Sequence, residues 1–175
     1  MRGIRKERFY PYPPQDVWVA ITDPRAIAEW LMPNTFKAEV GHKFRFMTDP
    51  MPFCEGHTEC EVTECDPPRR LAYTWLIAWP EKPGKRAMKQ PLPMVVSWTL
   101  TAENGGTRLV FEQTPYIGPR AIFTFISMNM GWGWMHKKLL PRVLARVKNG
   151  VFEPGAIPPE KRTYKAKTIP PEFVK

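Results

Sequence analysis

The chain has 175 residues, of which 43% are hydrophobic and 13% aromatic, which suits one domain with a buried core and excludes wholesale disorder. The formal net charge of +9 lies almost entirely in the last third, because Lys and Arg outnumber Asp and Glu by only 15 to 14 over residues 1–112 but by 11 to 3 over 113–175. No apolar stretch is long enough to span a membrane, no secretory signal begins the chain, and three cysteines are too few for a disulfide framework, so we expect a cytoplasmic protein.

The first predicted elements are a strand and two short helices. Residues 4–10 predict the strand, which a proline-rich segment ends. A helix follows over 15–22, where apolar residues recur at helical spacing directly after Pro14. Pro24 separates it from a second short helix that runs through 27–31.

The middle of the chain alternates apolar and polar residues with a period of two, which is typical of strands with one buried face. The pattern predicts five more strands, over residues 43–46, 58–65, 71–79, 94–100 and 107–113. Asn104-Gly105 is a hairpin signal between the last two of them. The Pro- and Lys-rich segment 80–93 is predicted to be an irregular loop.

The last periodic segment predicts one long amphipathic helix. Its apolar residues recur at three- and four-residue steps, at Trp132, Met135, Leu139, Val143 and Val147. Pro141 is expected to kink this helix, and Asn149-Gly150 to end it. Whether 117–128 forms a separate helix is left open by the sequence. Because helices and strands do not alternate, the fold class is α+β, with an antiparallel sheet wrapped around the long C-terminal helix.

Several motifs in order along the chain carry a resemblance to a known family. The longest are YPYPPQDVW at 10–18, CDPPRRL at 65–71 and GTRL at 106–109. With these motifs the sequence resembles the START-like (SRPBCC) superfamily, and more narrowly the branch named after the activator of the heat-shock-protein ATPase. The resemblance implies the helix-grip fold, in which a curved antiparallel sheet of about six to seven strands and a long C-terminal helix enclose an apolar cavity, with two short helices after strand one. We assign residues 1–150 to this domain and 151–175 to a Pro-rich, basic C-terminal extension.

The main functional hypothesis is non-catalytic binding of a small hydrophobic or aromatic molecule between the sheet and the C-terminal helix. Bulky residues facing that space would supply apolar surface, Gln113 would supply a hydrogen bond, and the loop 80–93 is a candidate gate. The candidate cavity residues are Tyr73, Trp75, Trp98, Phe111, Gln113, Met128, Trp132 and Met135. An ordinary packed core is the competing interpretation of the same residues.

Other functions remain open. The resemblance also implies a chaperone ATPase-activator-like partner module, or a cyclase or hydrolase that acts on a bound polyketide-like ligand. His57 with Glu59 or Glu61 is a candidate acid–base pair, although strand parity points it outward if the Val62 face is the core. We therefore predict no catalytic residue and no cofactor, and a monomer or a homodimer.

Metal and nucleic-acid sites are less favoured by the sequence. The spacing of Cys54, Cys60 and Cys65 matches no common zinc site, so no metal is predicted and buried thiols are expected. A basic row follows the predicted helix at Lys138, Arg142 and Arg146, with further basic residues in the extension. We interpret this row as the solvated back of the helix and prefer that interpretation to a binding surface for nucleic acid or anionic lipid.

Overall fold

The computed structural model describes residues 2–50, 56–77, 94–117 and 121–164, so the predicted loop 80–93, Cys54 and the end of the C-terminal extension lie outside the described residues. Six strands form one antiparallel sheet in the order β1-β6-β5-β4-β3-β2. They are β1 (Arg2–Tyr10), β2 (Lys43–Met47), β3 (His57–Asp66), β4 (Arg70–Ile77), β5 (Met94–Glu103) and β6 (Gly106–Tyr116).

The alternation in the sequence places the buried face of the sheet correctly. On β4, β5 and β6 the buried positions include every second residue, namely Leu71, Tyr73, Trp75, Val96, Trp98, Leu100, Leu109, Phe111 and Gln113. Cross-strand register sets Trp98 opposite Phe111 and Val96 opposite Gln113. The three central strands therefore present one continuous aromatic and aliphatic surface to the helices.

Two short helices follow β1, as predicted. They are α1 (Pro14–Thr22) and α2 (Pro24–Trp30), and each has a proline in its first turn. Asp23 caps α2, since its carboxylate accepts hydrogen bonds from the backbone N–H groups of Arg25 and Ala26. The side chain of Trp30 at the end of α2 points into the core and donates from Nε1 to the carbonyl of Ala20 at 2.9 Å.

The long C-terminal helix confirms the helix-grip arrangement, but its bounds differ from the predicted ones. Helix α3 (Ala121–Lys138) begins well before Trp132, and a separate short helix α4 (Leu140–Leu144) follows it. The break falls just before Pro141, because proline lacks the N–H that a continuous helix needs there and its ring crowds the preceding turn. Pro141 thus lies in the first turn of α4 rather than at a kink within one helix. Among the described residues no helix is long and apolar enough to cross a membrane.

Asn149-Gly150 does not end the helix as predicted but forms the turn of a small hairpin. Strands β7 (Val147–Lys148) and β8 (Val151–Phe152) pair on either side of it. Both turn residues have positive φ, 52° for Asn149 and 75° for Gly150, which the paired strands of a tight hairpin require. The same Asn-Gly pair suits a helix end and a hairpin turn, so the local sequence did not distinguish them.

The first part of the C-terminal extension packs against the domain. Phe152 and Ile157 are buried in the core, and a single 3-10 turn follows over Pro159–Lys161. Glu29 on α2 is 2% exposed, and its carboxylate accepts hydrogen bonds from the backbone N–H groups of Gly155 at 2.6 Å and Ile157 at 2.7 Å. Residues 151–157 are therefore fixed to α2 rather than free of the domain.

Candidate functional site

The space between the sheet and α3 contains a cluster of aromatic rings from five elements. We call this the aromatic cluster, and its members are Trp30, Trp75, Trp98, Phe111, Trp132 and His136. Ring centroids lie 4.3 Å apart for Phe111 and Trp132 and 4.7 Å apart for Trp98 and Phe111. Most of the contacts are tilted or edge-on, which is the favoured geometry for aromatic pairs. The cluster forms because β4, β5 and β6 present alternate residues to α3, which contributes Trp132 and, one turn later, His136.

Gln113 is the fully buried polar residue beside this cluster. Its Oε1 accepts hydrogen bonds from Trp132 Nε1 at 2.9 Å and from the Tyr116 hydroxyl at 2.8 Å. An amide oxygen accepts hydrogen bonds and an amide nitrogen donates them, so the two donors identify this atom as the oxygen of the Gln113 amide. The amide nitrogen then has no hydrogen-bond partner among the described residues, so a buried donor remains available for a further acceptor.

Two more buried polar atoms lie around Trp132 without a partner in the described part of the chain. They are Trp75 Nε1 and His136 Nε2. The ring centroids of Trp75 and His136 are 5.8 and 5.7 Å from that of Trp132. Burial, with the positive charges of Arg8 and Lys6, lowers the pKa of His136 to about 3. The imidazole is therefore neutral near pH 7.

The remaining predicted cavity residues also lie in the interior. Tyr73 is buried among Phe36, Phe44 and Phe46, its hydroxyl accepts from Trp98 Nε1 at 3.3 Å, and burial raises the pKa of its phenol. Met135 is buried, and Met128 is partly buried against the core. The structure thus brings seven of the eight residues into the interior and Met128 to its edge, and their role in binding a ligand stays a prediction.

The interior is closely packed. A narrow crevice lies next to the aromatic cluster, but its free volume for a water-sized molecule is about 0 Å³, against the roughly 300 Å³ at which small-molecule pockets begin. Of the predicted residues only Tyr73 and Trp98 line it, and the others that do so are Ile21, Ile27, Trp30, Leu31, Phe36 and Phe46. A ligand between sheet and helix therefore requires the two to separate.

Sequence reasoning missed two members of the aromatic cluster. His136 follows Trp132 by four residues, so helical spacing already placed both on one face of a helix. Trp30 had no such signal, since only the tertiary fold brings the end of α2 against Trp98, with ring centroids 6.0 Å apart.

The candidate acid–base pair lies on the other face of β3. Thr58, Cys60 and Val62 are the buried residues of β3, so Glu59 points outward as strand parity predicts, whereas His57, predicted to be exposed, is partly buried. His57 Nε2 is 3.8 Å from Glu59 Oε1, and the Arg45 guanidinium is 3.0 Å from the same oxygen. The carboxylate is thus shared with an arginine at a half-exposed position, outside the aromatic cluster.

The structure also shows the surroundings of Cys60 and Cys65 and of Arg146 in the basic row. Cys60 is a buried free thiol whose pKa burial raises well above its usual range, and the partly exposed Cys65 lies 3.4 Å from the carbonyl oxygen of Ala38. Among the described residues no group of His, Cys, Asp and Glu is arranged to hold a metal ion. In the basic row, Arg146 donates to the carbonyl groups of Glu153 and Pro154, so it ties down the extension.

Comparisons with known proteins agree with this architecture. Residues 11–143 match the family described as activator of Hsp90 ATPase homolog 1-like protein, which confirms the resemblance found in the sequence. The protein MLL2253 from Mesorhizobium loti is similar to this chain, with 35% identity and a TM-score of 0.70 over 84% of this chain and 99% of that one. No curated protein matches the sequence.

Two more distant structures share the fold. DynU16, a putative protein in the dynemicin biosynthetic locus, has 24% identity and a TM-score of 0.62 over 82% of this chain and 47% of that one. The Aha1 dimer from Colwellia psychrerythraea has 14% identity and a TM-score of 0.60 over 86% and 98% of the two chains. At these identities the likeness concerns the fold alone.

Proposed function

The chain belongs to the activator of Hsp90 ATPase homolog 1-like family, and on this premise we propose that it binds a small hydrophobic or aromatic molecule between its sheet and α3, without catalysis. The observation that carries the proposal is the set of buried polar atoms around Trp132 that lack partners among the described residues: Gln113 Nε2, Trp75 Nε1 and His136 Nε2. Each such atom costs about 1–3 kcal/mol in a closed interior. A ligand that carries a hydrogen-bond acceptor would recover part of that free energy.

The surroundings of these atoms favour an aromatic ligand with one polar group. The faces and edges of Trp75, Trp98, Phe111 and Trp132 would contact a ring system. The amide N–H of Gln113 would donate to a ketone or ether oxygen, because its own oxygen is already held by Trp132 and Tyr116. The site combines a large apolar surface with one oriented donor, which is the usual make-up of a small-molecule site.

The N-terminal half of α3 is the part of the lining that can move to admit the ligand. From Trp132 onward α3 buries Trp132, Met135 and His136, whereas Phe125 and Met128 in its first half are only partly buried. Fewer buried contacts mean that this half opens at a lower free-energy cost. Lifting it would expose the aromatic cluster while the C-terminal half keeps its place.

A matched pair of ligands tests the proposal. We expect 1-tetralone, which has a ketone oxygen, to bind about 5–10-fold more tightly than tetralin, which lacks it, because one hydrogen bond contributes about 1 kcal/mol or slightly more. Equilibrium dialysis with both compounds measures this ratio directly. Gln113→Leu should reduce the ratio to near one.

Thr107→Val is the control, because Thr107 is also fully buried and hydrogen-bonded, to the carbonyl of Tyr12, but lies outside the aromatic cluster. It should keep the wild-type preference for 1-tetralone. Failure of both compounds to bind, or equal binding that Gln113→Leu does not change, would contradict the proposed site. Turnover of 1-tetralone would instead favour the enzyme hypothesis.

A further inference from the structure

Helix α3 carries apolar residues on the side that faces away from the sheet. We call this side the outer face, and it consists of Ile122, Phe123, Ile126, Met130 and Trp134. Four of these residues follow one another at steps of four, so they form one stripe along the helix. Phe123 is 81% exposed and Met130 69% exposed, which is unusual for such side chains in a continuous patch.

Apart from Thr124, Ser127 and Asn129, the first three turns of α3 are therefore apolar on both sides. The inner side packs on the sheet through residues such as Phe125, Met128 and Trp132. A helix with apolar residues on opposite sides is normally covered on both of them, by protein or by lipid. The outer face is thus expected to meet a partner.

The charges around the outer face point to the chemistry of that partner. Helix α3 contains no Asp or Glu, and its last turn ends in the exposed Lys137 and Lys138. The side chain of Lys6 on β1 reaches the same helix, because a Cβ atom at Gly133 would stand 3.7 Å from Lys6 Nζ. The patch is thus apolar along most of its length and cationic at one end, with no carboxylate of its own helix to balance the lysines.

We propose that the outer face of α3 docks on an anionic membrane surface. An interfacial helix lies in the plane of the membrane, with aromatic and aliphatic side chains among the acyl chains and lysines at the anionic head groups. Lys137 and Lys138 would supply that electrostatic contact, and Trp134 lies one turn before Lys138, where an aromatic ring suits the interface.

A second copy of the chain fits this surface less well. Two outer faces packed together would bring the lysines of one α3 against a helix that has no acidic residue to pair with them. Anionic head groups supply the missing negative charge without burying it. The charge distribution therefore favours lipid over self-association.

Vesicle sedimentation tests the proposal with the full chain. We expect the protein to pellet with vesicles of phosphatidylcholine and phosphatidylglycerol at 3:1, and to remain in the supernatant with phosphatidylcholine alone. Phe123→Asp/Met130→Asp should lower the partition coefficient by about tenfold or more, because it places charges in the apolar face. Lys137→Gln/Lys138→Gln should lower it about fivefold per lysine, since each lysine near an anionic surface contributes that much.

Val40→Asp/Val151→Asp is the charge-matched control, because both valines are exposed and lie outside α3, at 65% and 62% exposure. It should change the partition coefficient by no more than about twofold, since separated surface charges are largely screened at physiological salt. Circular dichroism of each variant verifies that it is folded. Lack of sedimentation with anionic vesicles would overturn the proposal, as would a dimer in analytical ultracentrifugation that Phe123→Asp/Met130→Asp abolishes.

Discussion

Glu29 and Ile157 are joined by a buried hydrogen bond between residues that lie far apart in the chain. The carboxylate of Glu29 accepts from the Ile157 backbone N–H at 2.7 Å, and both residues are almost completely buried. Its other oxygen accepts from the Gly155 N–H and lies 3.6 Å from the Arg162 guanidinium. One side chain on α2 thus holds the segment that follows β8 against the domain.

We expect Glu29→Ala to lower the free energy of unfolding by about 3 kcal/mol. The substitution leaves the buried Ile157 N–H and the partly buried Gly155 N–H without an acceptor and removes the carboxylate near the partly buried Arg162. Urea unfolding measures the loss. Glu153→Ala is the control, because the Glu153 side chain is 64% exposed and its ion pair with Arg146 is long at 4.0 Å. The control should change stability by no more than about 0.5 kcal/mol, and an equally small effect of Glu29→Ala would refute the structural role assigned to Glu29.

The sheet could be predicted from the sequence because its signals are local. Alternation at Tyr73 and Trp75, and at Trp98 and Leu100, reports directly which side of a strand is buried. The contact between Glu29 and Ile157 has no such signal, since the two residues are brought together only by tertiary structure. A proline-rich segment after Gly150 looks like a solvated tail until its buried partner is known.

Helix α3 was only half predicted, for a related reason. Trp132 and Met135 follow the period of an amphipathic helix, so the second half was recognised. In the first half Phe123 and Ile126 are exposed while Phe125 is partly buried, so apolar residues lie on both sides and leave no clear period. Apolar residues on both sides of the first half of α3 thus obscure its period in the sequence and also form its exposed outer face.

His136 is expected to make the fold sensitive to acid. Its pKa is about 3 in the folded protein, lowered mainly by burial, against 6.5 for the free side chain. Below pH 6.5 the unfolded chain binds a proton that the folded chain does not, so the free energy of unfolding falls as the pH falls. At pH 5 this single group should destabilise the fold by about 2 kcal/mol relative to pH 8.

His136→Phe removes this titration and keeps an aromatic ring in the cluster. Urea unfolding at pH 8 and pH 5 should therefore show a smaller acid-induced loss for the variant than for the wild type, by about 2 kcal/mol. The comparison uses the difference between two pH values, so any change in packing that is independent of pH cancels. Parallel stability–pH curves for the two proteins would show that His136 is protonated in the folded state after all.

The contact between Gln113 and Trp132 is expected to couple β6 to α3. Gln113→Leu leaves Trp132 Nε1 and the Tyr116 hydroxyl without their acceptor, which should cost about 2 kcal/mol. Trp132→Phe removes one of those donors in advance, so the two substitutions together should cost less than the sum of their separate effects. A double-mutant cycle in urea should give a coupling energy of about 1 kcal/mol.

Gln113→Leu combined with Val151→Ala is the matched cycle without contact, because Val151 is exposed on the small hairpin of β7 and β8. Its two effects should add within about 0.5 kcal/mol. Additivity in the Gln113 and Trp132 cycle as well would mean that their hydrogen bond does not hold helix to sheet.

Gly131 lies where the inner side of α3 changes from partly buried to fully buried residues, one residue before Trp132. A Cβ atom there would meet nothing within 4 Å, so Gly131→Ala should stabilise the helix without a clash, by about 0.5–1 kcal/mol or about 1–4 °C in Tm. If the N-terminal half of α3 lifts to admit a ligand, the stiffer helix should also slow the association of 1-tetralone. Stopped-flow fluorescence measures that rate, and an unchanged rate in a variant with raised Tm would mean that the ligand enters by a route that does not bend α3 at Gly131.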